Sequence, residues 1–142
     1  FRNVMNTYFS TKKSLYHYIS MAEGNYREFL RGANVKAKKY FYVMRPVLAC
    51  RWILEKGTPP PMRFTELMAA ELPGELHPEM EHLLELKMNA PEIKEIPRID
   101  VLNEYLDTSI TEIKNLLLDM NDTKKMEWET LDQMFLKYVS VN

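Results

Sequence analysis

The sequence has little of what disulfide-rich, membrane-spanning or glycine-loop proteins require. Its 142 residues include one cysteine, Cys50, and four glycines. A single cysteine excludes an internal disulfide and a cysteine-built zinc site, which favours a reducing compartment, and we expect a cytoplasmic protein. Scattered glycines exclude a P-loop and a dinucleotide-binding fingerprint. No uncharged apolar run approaches the ~18 residues of a transmembrane helix, so we expect a soluble protein that does not enter membranes.

Side-chain patterns for catalysis are missing as well. There is no Asp-x-Asp, and the Glu-x-Glu pairs at Glu79/Glu81 and Glu127/Glu129 fall on predicted helices. Residues two apart on a helix point about 200° apart, so neither pair can share a metal ion. The three histidines lack metal-ligand spacing, and no Gly-x-Ser-x-Gly occurs. We therefore predict no catalytic and no metal-binding residue, and we expect the chain to be inactive alone.

The near-neutral total charge hides an asymmetry between the two halves. Residues 1–65 hold 12 Lys/Arg against 3 Asp/Glu, a net charge of +9, whereas residues 66–142 hold 7 against 17, a net of −10. Twelve of the 16 aromatic residues also precede residue 66. Such asymmetry favours a polyanionic partner for the basic half. The alternative is that the two halves simply attract each other.

Apolar residues recur at helical spacing along most of the chain, which predicts an all-α bundle of five or six helices. We place the whole chain, 1–142, in one helical domain. The second long helix is apolar nearly all round, which is typical of a central, buried helix. After it, residues 58–62 contain three consecutive prolines and predict a rigid, extended strap laid over the helices. The predicted helices cover residues 11–31, 36–55, 66–72, a stretch beginning at Pro78, 98–120 and 124–141.

The second helix carries the clearest candidate binding residues. Lys38, Arg45 and Trp52 are spaced by seven and so line up along one side of it. Cations beside aromatic rings suit phosphate and base, because the cation offers charge and the ring a stacking surface.

Arg51 falls instead at the centre of the apolar face, where a buried guanidinium needs an anion. That anion is either an acidic residue of the second half, such as Glu104 or Asp107, or the phosphate of a ligand. Three other lysines of this region are interpreted from their positions as ordinary solvated charges: Lys36, Lys39 and Lys56.

A long series of residues resembles a known family. The series includes Lys38-Lys39-Tyr40, Arg45-Pro46, Arg51-Trp52 and Gly57-Thr58-Pro59-Pro60-Pro61. It is similar to the predicted nucleotidyltransferase family of the DNA polymerase beta superfamily, the group associated with RNA repair pathways. The resemblance covers about residues 8–72.

The resemblance implies that the chain is the C-terminal helical half of a longer nucleotidyltransferase. Members carry, upstream, a palm domain with a Gly-Ser turn and an Asp-x-Asp metal site, and neither motif occurs here. The chain also opens on Phe1 without an initiator methionine. The implied reaction moves a nucleoside monophosphate from a nucleoside triphosphate with two Mg²⁺ ions, none of them bound by this chain. The implied partners are the nucleotide, the palm domain and, as a further candidate, RNA.

The resemblance also places Lys39, Tyr40, Arg45 and Arg51 at the nucleotide and acceptor cleft. Together with Lys38 and Trp52, they are the candidate contacts to phosphate and base. A second hypothesis makes the chain a non-catalytic helical module for protein–protein interaction. Binding to nucleic acid would fall steeply with salt, whereas binding to a protein partner through apolar side chains would not.

Overall fold

A computed structural model describes the backbone of residues 2–122 and the side chains of residues 12–119. Five α helices dominate this part of the chain, which confirms the predicted all-α fold. A 3₁₀ turn, Gly74–Leu76, precedes the helix that begins at His77. The sixth predicted helix, 124–141, lies outside the described residues. The helices are α1 (Arg2–Phe29), α2 (Ala37–Lys56), α3 (Phe64–Glu71), α4 (His77–Asn89) and α5 (Asp100–Asp122).

Two helices begin at least two residues earlier than predicted. The first helix begins at Arg2, not near residue 11, because residues 2–10 contain neither glycine nor proline to stop it. The residue predicted as its cap, Ser10, lies inside the helix. The third helix begins at Phe64, so Thr65 is also inside its helix and does not cap it. A polar residue of the type that often caps helices therefore does not mark a helix start in this chain unless a glycine or proline accompanies it.

A small sheet, which the sequence patterns did not indicate, joins two distant segments. Strand β1 (Asn34–Lys36) pairs antiparallel with β2 (Glu95–Pro97), and Val35 lies opposite Ile96. Three residues are too few to reveal an alternating pattern. Immediately after β1, the amide of Ala37 donates a hydrogen bond of 3.0 Å to the carbonyl of Lys94. The sheet thus fixes the segment before α5 against the first turn of α2.

Helix α2 is the centre of the core, as its apolar circumference predicts. It packs against α1, α3 and α5. Its thiol, Cys50 Sγ, is buried and lies 3.7 Å from the carbonyl oxygen of Leu15. Burial raises the pKa of Cys50 to about 12, so the thiol stays protonated and packs as an apolar group. The buried residues of α2 are Tyr40, Val43, Met44, Pro46, Val47, Leu48, Ala49, Cys50 and Ile53.

The predicted strap follows α2 and is held at both ends by that helix. Gly57 ends α2 with φ 67°, a left-handed conformation that favours glycine. Trp52 Nε1 then donates a 3.1 Å hydrogen bond to Thr58 Oγ1, and Arg45 Nη1 donates one of 2.9 Å to the Met62 carbonyl. Seven residues of α helix rise about 10.5 Å. Four residues of polyproline helix rise about 12 Å, so the two anchor points match.

Candidate functional site

The six candidate residues do not converge on one point. Lys38 and Trp52 are fourteen residues apart on α2, which corresponds to about 21 Å along the helix axis. A single small ligand therefore cannot touch both. The candidates divide into a group near the start of α2 and a group near the strap, and each group has different surroundings.

Tyr40, in the first group, belongs to the core. Its side chain is fully buried. Its hydroxyl donates a 2.6 Å hydrogen bond to Asn103 Oδ1 and accepts one of 2.8 Å from the amide of Ile99. The amide nitrogen of Asn103 in turn donates to the Leu30 carbonyl at 2.6 Å. This network ties the end of α1 and the start of α5 to α2, and it leaves no exposed ring face on which a base could stack.

Arg51, in the second group, is held by α5. Its Nη2 donates hydrogen bonds to Ser109 Oγ at 2.7 Å and to Glu112 Oε2 at 3.1 Å. The guanidinium carbon lies 5.6 Å from the centre of the Tyr105 ring. The partner is thus an acidic residue of the second half, as one of the two interpretations required. The acidic partner is Glu112 and not Glu104 or Asp107. The sequence could not identify it, because periodicity does not tell which turn of α5 faces Arg51.

Three buried polar atoms near Arg51 lack a hydrogen-bond partner among the described residues. They are Arg51 Nε on α2, Glu71 Oε2 on α3 and the Tyr105 hydroxyl on α5. Burial, and next the neighbouring Glu55 carboxylate, raise the pKa of Glu71 to about 7. This junction is therefore a polar region where the charge of one carboxyl group depends on pH near neutrality.

The remaining candidates also contact the chain itself. Arg45 and Trp52 anchor the strap, and the Lys56 ammonium lies 4.8 Å from the Trp52 ring centre. The Lys39 ammonium lies 3.8 Å from the ring of Phe29. These cation–π contacts place both lysines over aromatic faces, which is a more specific position than that of ordinary solvated charges.

Lys38 has different surroundings, because it lines a cavity. The cavity lies between the first turns of α2, the end of α4 and the loop before β2, and its volume is about 390 Å³. We call it the lysine cavity. Four of its lining residues are lysines and six are apolar. They are Lys36, Lys38, Lys87 and Lys94, with Ala37, Phe41, Leu83, Leu86, Pro91 and Ile93.

The lysines of this cavity form no ion pair in the described part of the chain, although Glu95 of β2 lies opposite Lys36 of β1 in the strand pairing. No acidic residue lines the cavity. The Lys87 ammonium lies 5.3 Å from the Phe41 ring centre, at the apolar floor. The α2 N-terminus adds partial positive charge, because first-turn amides of a helix have no acceptor within it.

Sequence reasoning found one wall of this cavity and missed the others. Lys36 was interpreted as a solvated charge, while Lys87 and Lys94 lie in the acidic half, where no binding chemistry was expected. A weak signal did exist, since Lys87 and Lys94 flank Pro91, which ends α4 and turns the chain back toward β1. Only the β1–β2 pairing shows that this loop meets the start of α2.

The described side chains do not fit a metal ion. Among residues 12–119, no group of three His, Cys, Asp or Glu side chains lies close enough together to hold one. Within the described residues, no helix has both the length and the apolar character needed to cross a bilayer.

Comparisons with known proteins extend the resemblance to nearly the whole chain. The model of the RlaP family, described as the RNA repair pathway DNA polymerase beta family, matches residues 1–137. The Uncharacterized protein YcgL of Bacillus subtilis (strain 168) is 43% identical over 141 residues, covering 97% of this chain. The match covers 54% of that relative, so the chain spans about half its length. No solved structure matches. The chain belongs to the RNA repair pathway DNA polymerase beta family.

Proposed function

We propose that this chain is the helical, substrate-contacting part of a nucleotidyltransferase. In the proposed reaction, an acceptor hydroxyl attacks the α-phosphorus of a nucleoside triphosphate. The bond to the β-phosphate breaks, pyrophosphate leaves, and the hydroxyl proton passes to a base. The observation that carries the proposal is the family match over residues 1–137. The reacting groups and the metal site would lie in a part of the protein beyond these residues.

The contribution of this chain would be to hold negatively charged substrate. Several cations of α1 and α2 and of the adjoining segments are solvent-exposed, including Arg31, Lys36 and Lys38. Acidic residues are scarce in the same region, where residues 12–65 contain Glu23, Glu28 and Glu55. This surface supports the proposal because a positive field attracts phosphate groups and raises their local concentration.

The test is a transfer assay on the full-length protein that contains this chain. The protein is incubated with Mg²⁺, RNA and a nucleoside triphosphate labelled at its α-phosphate, and we expect the label to move to the acceptor. The same nucleotide labelled at the γ-phosphate is the control, because nucleotidyl transfer leaves that label in pyrophosphate. Label transfer from the γ-position would show phosphoryl transfer and contradict the proposal, as would the absence of any transfer with RNA, protein and small-molecule acceptors.

A protein-interaction module is the second candidate, favoured by two exposed methionines. Met62, at the end of the strap, is 93% exposed, and Met88, at the end of α4, is 79% exposed. Exposed, flexible thioether side chains are typical of adaptable binding surfaces. This function predicts a partner whose affinity is nearly independent of salt and is lost in Met62→Ser or Met88→Ser. Phosphate binding predicts the opposite on both counts.

A further inference from the structure

Helix α3 is attached to the core by a short apolar face that ends in a carboxyl group. Its buried residues are Phe64, Leu67 and Met68. Glu71 follows Met68 by three residues and Leu67 by four, so helical spacing places it on the same face of α3. No ion pair between described residues involves α3, and no side chain caps its first turn. Apolar packing is therefore the main attachment of α3 to the core.

The Glu71 carboxyl group meets charged and titratable groups of two other helices. On α2 these groups are Arg51, Glu55 and Lys56, and on α5 the group is Tyr105. Glu71 Oε2 is buried and has no hydrogen-bond partner among the described residues, and the same holds for Arg51 Nε. The hydrogen bonds that Arg51 does form run from its Nη2 to α5. Arg51 is thus held by α5 rather than by Glu71, and a buried carboxyl oxygen of α3 is left without a donor.

We propose that α3 is a gate whose closure depends on the charge of Glu71. When the carboxyl group is protonated, α3 lies on α2 as described above. When the carboxyl group is ionised, α3 moves off α2 and uncovers the apolar side chains of Leu67 and Met68. This regulation goes beyond the proposed transfer reaction and does not rest on it.

Ionisation of Glu71 is unfavourable while α3 is closed, because the carboxylate loses hydration and faces a second carboxylate. Burial, and next the neighbouring Glu55, raise the pKa of Glu71 to about 7, whereas Lys56 and Arg51 act in the opposite direction. In an open form the group returns to water and to its ordinary pKa. The proton therefore favours the closed form, fully below about pH 4.5 and progressively less as pH rises through 7. The gate closes in acid and opens above neutrality.

The segments that flank α3 allow it to move while the rest of the fold stays closed. Before α3, the strap is fixed at Met62 by the hydrogen bond from Arg45. After α3, Pro73 and Gly74 interrupt the chain before the next helix, and glycine changes its backbone angles at little cost. Helices α1, α2 and α5 also pack against one another without α3. A segment with few apolar contacts and breaks at both ends is typical of a unit that opens locally.

The experiment is hydrogen–deuterium exchange of the full-length protein that contains this chain, measured in peptides from residues 64–72. Wild type and Glu71→Gln are compared at the same pH, so the intrinsic effect of pH on exchange cancels. At about pH 8 we expect this segment to exchange roughly tenfold more slowly in Glu71→Gln than in the wild type, and at about pH 5 the two should agree within about twofold. Glu55→Gln should also slow exchange at about pH 8, because it removes the repelling carboxylate.

Two controls isolate the Glu71 carboxyl group. Glu66→Gln makes the same change at an exposed position of α3. His77→Gln removes the other titratable group at this end of the helix, whose Nε2 lies 2.9 Å from the Leu72 carbonyl oxygen. Both variants should exchange like the wild type at each pH. Circular dichroism and a cooperative thermal melt establish that every variant is folded.

Three results would overturn the gate. Equal exchange of residues 64–72 in wild type and Glu71→Gln at about pH 8 would show that α3 does not respond to this charge. Exchange that slows in α1 and α5 as much as in α3 would show that ionisation weakens the whole fold, with no separate movement of α3. A pH response that is lost in His77→Gln would assign the switch to the histidine. Label transfer by the full-length protein decides the proposed function separately from all three.

Discussion

The two ends of α2 carry similar residues in different surroundings. Near its C-terminal end, Arg45, Arg51 and Trp52 contact the strap and α5. At its N-terminal end, Lys38 joins lysines from two other segments at a cavity that no acidic residue lines. The comparison shows that residue type alone does not decide whether a cation is available to a ligand. What decides it is whether the fold supplies an acceptor close by.

The comparison predicts that stability and binding separate along α2. Substitutions of buried or partnered residues should lower the free energy of unfolding and leave ATP affinity unchanged. Substitutions of exposed cations on α2, such as Lys38, should do the reverse. The following changes test this separation, beginning with the largest expected effect.

Tyr40→Phe should lower the free energy of unfolding by about 2 kcal/mol. The change removes one hydroxyl but leaves the buried Asn103 Oδ1 and the Ile99 amide without their partner. Urea unfolding measures the loss. Tyr42→Phe is the matched control, because Tyr42 is 49% exposed and water can replace its hydroxyl contacts. A Tyr40→Phe variant that is as stable as the wild type but binds ATP more weakly would show that Tyr40 contacts the ligand. That result would contradict its role as a core residue.

Arg51→Ala should lower the free energy of unfolding by about 1.5 kcal/mol, since it deletes hydrogen bonds from a charged donor to Ser109 and Glu112. The expected loss is moderate because the Arg51 side chain is 30% exposed. Urea unfolding and an ATP titration are measured on the same sample, and Lys13→Ala serves as the exposed control. Unchanged stability with tenfold weaker ATP binding would show instead that Arg51 is a phosphate ligand.

The anchor between Trp52 and Thr58 should contribute about 1 kcal/mol to stability. Trp52→Phe, Thr58→Val and the double variant form a cycle whose coupling energy isolates the hydrogen bond from the loss of indole packing. Thermal or urea unfolding of the four proteins gives the value. Strictly additive effects would mean that the strap is held by its prolines and by Arg45 alone.

Glu71→Gln should flatten the dependence of stability on pH between about 4.5 and 7. The folded pKa of Glu71, about 7, lies above its ordinary value of 4.5, so the folded state binds the proton more tightly. Stability from this group is fully present below about pH 4.5 and is lost as pH rises through 7. Partial solvent exposure limits the effect to about 1 kcal/mol or less.

Melting temperatures at about pH 5 and pH 8 check this expectation. Wild-type protein should lose more stability between the two values than Glu71→Gln does. Glu66→Gln, an exposed change on the same helix, should behave like the wild type. Equal pH dependence in all three proteins would contradict a raised pKa of Glu71 in the folded state.

The helices could be predicted from the sequence, because burial on one face leaves a periodic trace in the apolar residues. Helix α2 and the strap are the clearest cases, since nearly complete apolar coverage and three prolines leave few alternatives. The start of α1 could not be placed, because no residue between Arg2 and Ser10 breaks a helix. The strands were missed because each has three residues.

The candidate site was less predictable than the fold, because it is assembled across long sequence separations. Lys38 could be identified on α2, but its neighbours Lys87 and Lys94 reach it only through the pairing of β1 with β2. The net negative charge of residues 66–142 even argued against cationic binding residues in that half. For Arg51, the type of partner could be predicted and its identity could not, because a helix offers an acidic residue on several turns.

The strap has a consequence for how the chain tolerates changes in length. Its first residue, Thr58, and its last, Met62, are fixed to points two helical turns apart on a buried helix. Replacing one middle proline by another extended residue preserves that span, whereas inserting or deleting a residue changes it by about 3 Å. A hydrogen bond cannot stretch that far, so one anchor has to be released. The fixed distance between the two anchors therefore constrains the number of residues in the strap more strictly than their identity.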